Sequence, residues 1–266
     1  MLKQANDFYQ ESMHLYEVLE HLSEKELKTS TLFKKWTFND IIRHLHVWNV
    51  AINLSLLDSI KWKKLENNLK DFLKKGKKLK QFEKEQSKKL KGRELLLIWK
   101  DFCITTRESF KYRNPKERIK WIGPDMSIIS AVSARHMETW AHGQSIYDEL
   151  GIVRKSDNSI LNIVIMGNNT FNWSFKINNL EMPKKKPYLK LRAPSGKIWH
   201  FNDPDNKNKI EGCAEDFCKV VTQVRNILDV NLQVTGKTSK KWMSIAQCFA
   251  GKAESPPIAG SRKIKI

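Results

Sequence analysis

The chain has 266 residues, a net charge of +19 and 40% hydrophobic residues, and nine of its residues are tryptophans. This length and composition fit one large or two ordinary globular domains and exclude a disordered chain. The longest apolar runs, SILNIVIMG and ELLLIW, are too short to cross a bilayer, and the N-terminus MLKQANDFYQES has no apolar signal core. We therefore expect a cytoplasmic protein that does not have a membrane as a partner.

The first half of the chain predicts helices separated by short connections. Residues 1–27 carry apolar side chains among charged ones, which indicates an amphipathic helix. A second helix begins at WTFNDIIRHLHVWN, where Thr37 and Asp40 have the spacing of a capping box, so Thr37 is the expected N-cap. The lysine-rich segment of residues 61–93 follows as a helix that breaks near Gly76. RELLLIWKDFCITTRESF is a further helical run.

A long helix completes this half of the chain. NPKERIKWIGPDM is predicted as a loop, and the helix after it begins near Met126 and ends before Gly151, a suitable C′ residue. The predicted helices most simply form a four-helix bundle over residues 1–155.

The second half, residues 156–252, predicts a smaller α+β domain. SILNIVIMGNNTFNWSF is predicted as a helix, and YLKLRAPSGKIWHFN as two strands that form a hairpin around PSG. GCAEDFCKVVTQVRNIL is predicted as a helix, LQVTG as a strand, and TSKKWMSIAQCFAG as a final helix with a Thr or Ser cap. Residues 253–266 are predicted to be a flexible tail. The predicted fold class is thus an N-terminal four-helix bundle with a smaller C-terminal α+β domain.

Much of the net charge lies in residues 61–93. Apolar side chains recur there at roughly helical spacing and lysines fill the gaps, which is typical of a helix with one buried stripe and a solvated basic face. A nucleic-acid-binding segment would interleave aromatic or arginine side chains with the basic ones, or show a recognisable motif. Lysine dominates here, so a solvated face is the favoured interpretation and nucleic acid is not the expected partner.

The stretch RHMETWAHGQS carries several groups that are costly to bury. At about 100° per residue on a helix, Glu138 and His142 project to one side, and Arg135 lies within about 20° of His142. His136 lies about 120° from His142 and is expected to point outward. The motif therefore holds one cluster, in which we expect Arg135 either to pair with Glu138 or to meet an anionic thiol or substrate.

A histidine on the second predicted helix can join this cluster. His44 and His46 differ by about 200° around the helix, so only one of them faces the core. The neighbours of His44 are Ile41, Trp48 and Ala51, whereas those of His46 are more polar. We therefore expect His44 to point inward and His46 outward. An inward histidine must be hydrogen bonded or ligated.

Imidazole nitrogens and a carboxylate oxygen are ligands that zinc accepts, so His44, Glu138 and His142 are candidate metal ligands. A Glu–His pair four residues apart is common on helix surfaces, and a lone inward histidine is more often a satisfied core residue. The pair and the inward histidine together favour a metal site. Three protein ligands leave open positions on the ion, as in catalytic sites, and water or a thiolate could occupy them.

Two motifs about ninety residues apart, WTFNDIIRHL and METWAHGQ, resemble the metal-binding motifs of the DinB-like superfamily. Within it the sequence is similar to the mycothiol-dependent maleylpyruvate isomerase group, and there to a subfamily of uncharacterised metal-binding proteins. The resemblance extends through LRAPSG, DFCKVVTQVR and SIAQCFAG. It implies a four-helix metal-binding domain followed by an α+β domain, with His44, Glu138 and His142 as ligands and zinc as the usual ion.

The resemblance also implies that an arginine of the second domain meets a negative charge on the substrate. Arg225, in VVTQVR, is the best match, although a surface arginine at a helix end would give the same pattern. Where the family commonly has an aspartate after HGQ, this sequence has Ser145. If that aspartate orients a metal ligand, its replacement predicts a lower metal affinity here. Asp40 matches the first motif; helix capping explains it fully, and contact with His44 is the alternative.

These residues and the resemblance predict a divalent-metal-binding protein that uses a low-molecular-weight thiol as an isomerase or transferase of a small-molecule substrate. Arg225 and Arg135 are the candidate catalytic residues. Two alternatives stay open: a non-catalytic metal or small-molecule binding protein and, less favoured, a nucleic-acid binder that uses residues 61–93. The sequence fits a monomer or a homodimer.

Overall fold

A computed structural model describes residues 1–205 and 207–265. The chain divides into two compact units, Met1–Ile146 and a second unit that begins at Tyr147. The domain boundary at residue 155 and the flexible tail stay predictions. None of the described helices is both long and apolar enough to cross a membrane.

The first unit is built from α-helices. In chain order they are α1 (Lys3–Leu19), α2 (Phe38–Leu57), α3 (Ser59–Lys74), α4 (Leu79–Gln86), α5 (Gly92–Phe110) and α6 (Ile128–Glu149), the last of which continues past the boundary between the units. α2 and α1 both pack against α5, and the apolar faces of these helices form the core. Fully buried core side chains include Phe8, Leu15, Ile41, Leu45, Leu95 and Trp99.

The lysine-rich segment folds as α3 and α4, which both pack against α2. Their apolar stripes join α2 in a second buried cluster of Trp48, Ala51, Trp62, Leu65, Leu69 and Phe82. The lysines of this segment are exposed. The predicted break near Gly76 is confirmed, because α3 ends at Lys74 and α4 begins at Leu79.

Two predictions for this unit were wrong in detail. The first helix ends at Leu19 rather than near residue 27, since Arg93 of α5 donates hydrogen bonds to the carbonyl oxygens of Glu20 and Leu22. The predicted loop after α5 contains two short antiparallel strands, β1 (Arg118–Ile119) and β2 (Met126–Ser127). The pairing of β2 with β1 delays the start of α6 to Ile128.

The second unit combines short helices with one sheet. The helices are α7 (Leu161–Asn169), α8 (Phe171–Ile177), α9 (Ala214–Val221) and α10 (Lys237–Ile245), and the strands are β3 (Tyr188–Arg192), β4 (Ile198–Phe201), β5 (Lys209–Cys213) and β6 (Leu232–Thr235). The strand order is β4-β3-β5-β6, in which only the β3–β5 pair is parallel. α9 covers β3 and β5 and buries Leu189, Ile210 and Phe217 completely. The predicted hairpin around PSG is confirmed as β3–β4.

The helix predicted over GCAEDFCKVVTQVRNIL was wrong at both ends. Its first residues belong to β5, because Gly212 has φ +147° and a Cβ there would lie 2.8 Å from Leu232 Cδ2 on β6. The helix stops at Val221 because Gln223 is left-handed, with φ +56°, and its side-chain amide donates to the carbonyl oxygens of Ala246 and Glu254. These contacts are distant in sequence and left no local signal.

The cap predicted for the final helix was also wrong. α10 begins after Gly236, which has φ +89° and makes no side-chain cap. The fold class is confirmed: a helical N-terminal part is followed by a smaller part with helices and a sheet.

Candidate metal centre

The N-terminus of α2 is fixed by a capping box, as the sequence predicts. The Thr37 hydroxyl accepts a hydrogen bond from the Asp40 backbone N–H at 3.1 Å, and the Asp40 carboxylate accepts one from the Thr37 backbone N–H at 3.0 Å. This start sets the rotation of the helix and places the side chain of His44 on the buried side.

The structure brings together the three side chains that the sequence proposes as metal ligands. His44 Nε2 lies 3.3 Å from Glu138 Oε2, and His142 Nε2 lies 3.1 Å from the same oxygen. The potential ligand atoms of the three residues all lie within 4.8 Å of one another. Two imidazole nitrogens therefore converge on one carboxylate oxygen, a donor set that suits zinc. That they bind a metal stays a prediction.

Aromatic rings cover part of this cluster. Trp36 stacks almost parallel on His142, with ring centroids 5.8 Å apart and an interplanar angle of 2°, and Phe33 meets the same imidazole edge-on at 5.1 Å. Trp36 also contacts the ring of His44 at 5.4 Å. Both rings belong to the turn before α2, and they restrict how the two histidines can rotate.

A fourth ionisable side chain that sequence reasoning missed contacts His44. Glu83 of α4 places Oε1 2.7 Å from His44 Nδ1 and 2.9 Å from Trp48 Nε1, and it is only 1% exposed. A signal was available, because Leu79, Phe82 and Glu83 have the i, i+3, i+4 spacing of one helix face. The buried stripe predicted for this segment contained apolar side chains alone, so Glu83 was left with the lysines on the solvated face.

The carboxylates control the protonation of the two histidines. Burial disfavours the charged form of His44, but Glu83 and Glu138 outweigh it and raise its pKa to about 9. Burial also opposes ionisation of Glu138, yet hydrogen bonds from His142 and His44 hold its pKa well below the usual value. The pKa of His142 is lowered, chiefly by burial and further by the charge on His44. The metal-free cluster thus holds a carboxylate, a charged imidazole and a neutral imidazole.

Arg135 is buried, with 3% of its surface exposed. Its Nε donates to Asn49 Oδ1 at 3.0 Å, so the favoured pairing with Glu138 is an attraction between the two charges and not a hydrogen bond from this nitrogen. Nη2 of the Arg135 guanidinium is buried and has no hydrogen-bond partner among the described residues. Burial lowers the pKa of this guanidinium, while the negative charge of Glu138 acts in the opposite direction.

Arg225 lies in the second unit. Its guanidinium forms an ion pair with Asp148, with Nη2 2.6 Å from Oδ1, and both side chains are largely buried. The alternative given above, a surface arginine at a helix end, therefore does not fit this buried ion pair. A catalytic role for Arg225 or Arg135 stays a prediction.

Two histidines expected to point outward are buried. His46 is 7% exposed and packs edge-on against Phe102 of α5, and His136 is 0% exposed, with Nε2 4.0 Å from Glu11 Oε2. The prediction that only one of His44 and His46 faces the core was therefore wrong, because α2, like α6, is covered on more than one side. Asp40 contacts Thr37, Arg43 and Lys80, and its alternative role beside His44 is filled by Glu83.

Sequence comparison relates the chain to known proteins. A family described as the mycothiol maleylpyruvate isomerase N-terminal domain matches residues 8–147. Uncharacterized proteins from two strains of Mycobacterium tuberculosis are each 36% identical over 158 residues, which cover 59% of this chain. The chain spans 62% of the length of these curated relatives.

Solved structures share the fold. A crystal structure of a histidine-to-alanine mutant of mycothiol-dependent maleylpyruvate isomerase superposes with a TM-score of 0.55 at 11% identity, covering 96% of this chain and 95% of that chain. A second crystal structure of mycothiol-dependent maleylpyruvate isomerase gives a TM-score of 0.52 at 12% identity, covering 82% of this chain and 87% of that chain.

Proposed function

The chain belongs to the mycothiol maleylpyruvate isomerase N-terminal domain family, and from this premise we propose that it is a metal- and thiol-dependent isomerase or transferase. A divalent ion, most suitably zinc, would be held by His44, Glu138 and His142. A low-molecular-weight thiol would be the cosubstrate, and the substrate would be a small electrophile.

One observation carries the proposal: two imidazole nitrogens lie 3.3 and 3.1 Å from a single carboxylate oxygen, Glu138 Oε2. The donor set fits zinc, and three protein ligands leave room for an exogenous one. His142 has a lowered pKa and is already neutral at pH 7, as a ligand must be. When bound, the ion would supply a Lewis acid that lowers the pKa of a thiol or of water.

The residues around the three proposed metal ligands suit an anionic ligand. Arg135 adds a buried positive charge that acts on Glu138 and on Glu83, so it offsets part of the negative charge near the ligands. Trp36 and Phe33 cover the imidazole of His142 and limit access of water to it. A thiolate is a soft anion that is well matched to such a site.

We propose that Arg225 meets a negative charge on the substrate. The support for this role is the match of VVTQVR to the family resemblance described above. Its guanidinium is held by Asp148, so binding a substrate anion would require sharing or opening that ion pair. Replacement of Arg225 by lysine keeps the charge but loses the planar fork, and we expect it to raise KM for an anionic substrate more than it lowers kcat.

Turnover of electrophiles by zinc-loaded protein with a panel of small thiols tests the function. We expect thiol-dependent turnover in the wild type and its loss in His44→Ala. His21→Ala is the matched control, since the His21 side chain is 84% exposed, and it should retain full activity. Turnover that persists after the metal is removed would contradict the proposal. Tight thiol binding without turnover across the panel would support the non-catalytic alternative instead.

A further inference from the structure

Glu83 lies on α4, in the lysine-rich segment, and contacts a proposed metal ligand. We propose that Glu83 is a positioning residue that fixes the orientation and tautomer of His44 for metal binding. This inference rests on the proposed function, because it concerns the same metal site.

The hydrogen bonds define what Glu83 does to the ring. Its Oε1 lies 2.9 Å from Trp48 Nε1, which can only donate, so this oxygen acts as an acceptor. The same oxygen lies 2.7 Å from His44 Nδ1 and accepts a hydrogen bond from the N–H of that nitrogen. With the proton on Nδ1, the lone pair of a neutral imidazole is on Nε2, the atom that faces Glu138. Metal-binding histidines commonly have such an outer carboxylate.

Glu83 is held in place from both sides of α4. Phe82 next to it is 1% exposed and belongs to the apolar cluster with Trp48. Lys80 forms an ion pair with Asp40 of α2 at 2.6 Å, and Ser87 accepts a hydrogen bond from Arg43 at 3.2 Å. The carboxylate therefore cannot move away from His44 without breaking contacts between α2 and α4.

This assigns a role to a segment that the proposed function does not otherwise use. α3 and α4 have an exposed lysine face, and their buried face carries the carboxylate to the ring of His44. A purely structural role for Glu83 predicts a different outcome: its loss would lower the stability of the metal-free protein and leave the zinc affinity of the folded protein unchanged.

The zinc affinities of two Glu83 variants and one control variant distinguish a positioning role from a purely structural one. Glu83→Leu removes the acceptor, and at about pH 9, where the His44 proton competes little in either protein, we expect zinc binding about 10- to 100-fold weaker, measured by competition with a chromogenic chelator. Glu83→Gln keeps an acceptor oxygen, and its loss should be smaller than that of Glu83→Leu. The control Glu85→Leu changes an exposed carboxylate on the same helix and should bind zinc as the wild type does.

A spectroscopic readout makes the test independent of the folding of any one variant. In zinc-loaded wild type labelled with 15N-histidine, His44 should show a protonated Nδ1 with a downfield, slowly exchanging proton, and Trp48→Phe should shift it. Zinc affinity of folded Glu83→Leu within twofold of wild type at about pH 9, or His44 bound with Nδ1 unprotonated, would overturn the inference. Wild type that binds no zinc would overturn the proposed function as well, whereas unchanged affinity in Glu83→Leu together with loss of binding in His44→Ala would overturn the inference and leave that function standing.

Discussion

Zinc binding to the proposed site is expected to depend steeply on pH through His44. The pKa of this ring is raised to about 9, because Glu83 and Glu138 stabilise its charged form against the effect of burial. At neutral pH the metal-free protein therefore carries a proton on His44, and a metal ion must displace it to bind Nε2.

The size of this effect on zinc affinity follows from the difference between the pKa of His44 and the pH of the measurement. At pH 7 the pKa of about 9 lies about two units above the pH, so removing the proton costs about 2.7 kcal/mol, equivalent to about 100-fold in affinity. Glu138 stays ionised and His142 has a lowered pKa, so between about pH 7 and 9 only His44 changes protonation. The zinc Kd should therefore fall about tenfold per pH unit in this range, with one proton released per ion.

Chelator competition at three pH values, corrected for buffer and hydroxide binding of zinc, measures this slope. Isothermal calorimetry in buffers of different ionisation enthalpy counts the released proton. In Glu83→Gln the steep range should shift to lower pH, because the largest charge that stabilises the protonated ring is gone. A zinc Kd that does not change between pH 7 and 9 would refute this reasoning.

Three further predictions concern the free energy of unfolding, measured by urea titration. Burial lowers the pKa of His46 to about 4, below the unfolded value, so the stability that it contributes is full above about pH 6.5 and is lost as the pH falls toward 4. This contribution should fall by about 2 kcal/mol between pH 7 and 5, seen as the difference in pH dependence between the metal-free wild type and His46→Leu. Thr37→Ala removes the capping box with Asp40 and should cost about 1 kcal/mol; an unchanged urea midpoint would contradict the role of this cap. Gly167→Ala would place a Cβ 2.8 Å from Val221 Cγ2 and should cost about 1–3 kcal/mol, whereas a neutral result would show that α7 and α9 can separate slightly.

The sequence was informative wherever the signal is local. Helix periodicity and the capping box at Thr37 located α2, and the angular sorting grouped Glu138 with His142 and selected His44 as the histidine of α2 that lies beside them. A metal-ligand cluster built on helices can be found in this way because the helical repeat fixes which side chains share a face.

The sequence failed where the deciding contact is distant along the chain. The partner of His44 Nδ1 is Glu83, which is 39 residues away along the chain. Because lysines surround Glu83 in the sequence, this carboxylate was not expected to be buried. His46 and His136 were expected outside because the angular argument assumes one buried face for each helix. The end of α9 depends on the hydrogen bonds of Gln223 to residues that follow α10.

The central claim is that His44, Glu138 and His142 bind one divalent metal ion. Elemental analysis of protein purified without an affinity tag tests it most directly, beside His142→Ala and the exposed-histidine control His21→Ala. We predict about one equivalent of zinc or a similar ion in the wild type and in the control, and its loss in His142→Ala. Protein that holds no metal even after supplementation, or equal metal content in His142→Ala, would contradict the account.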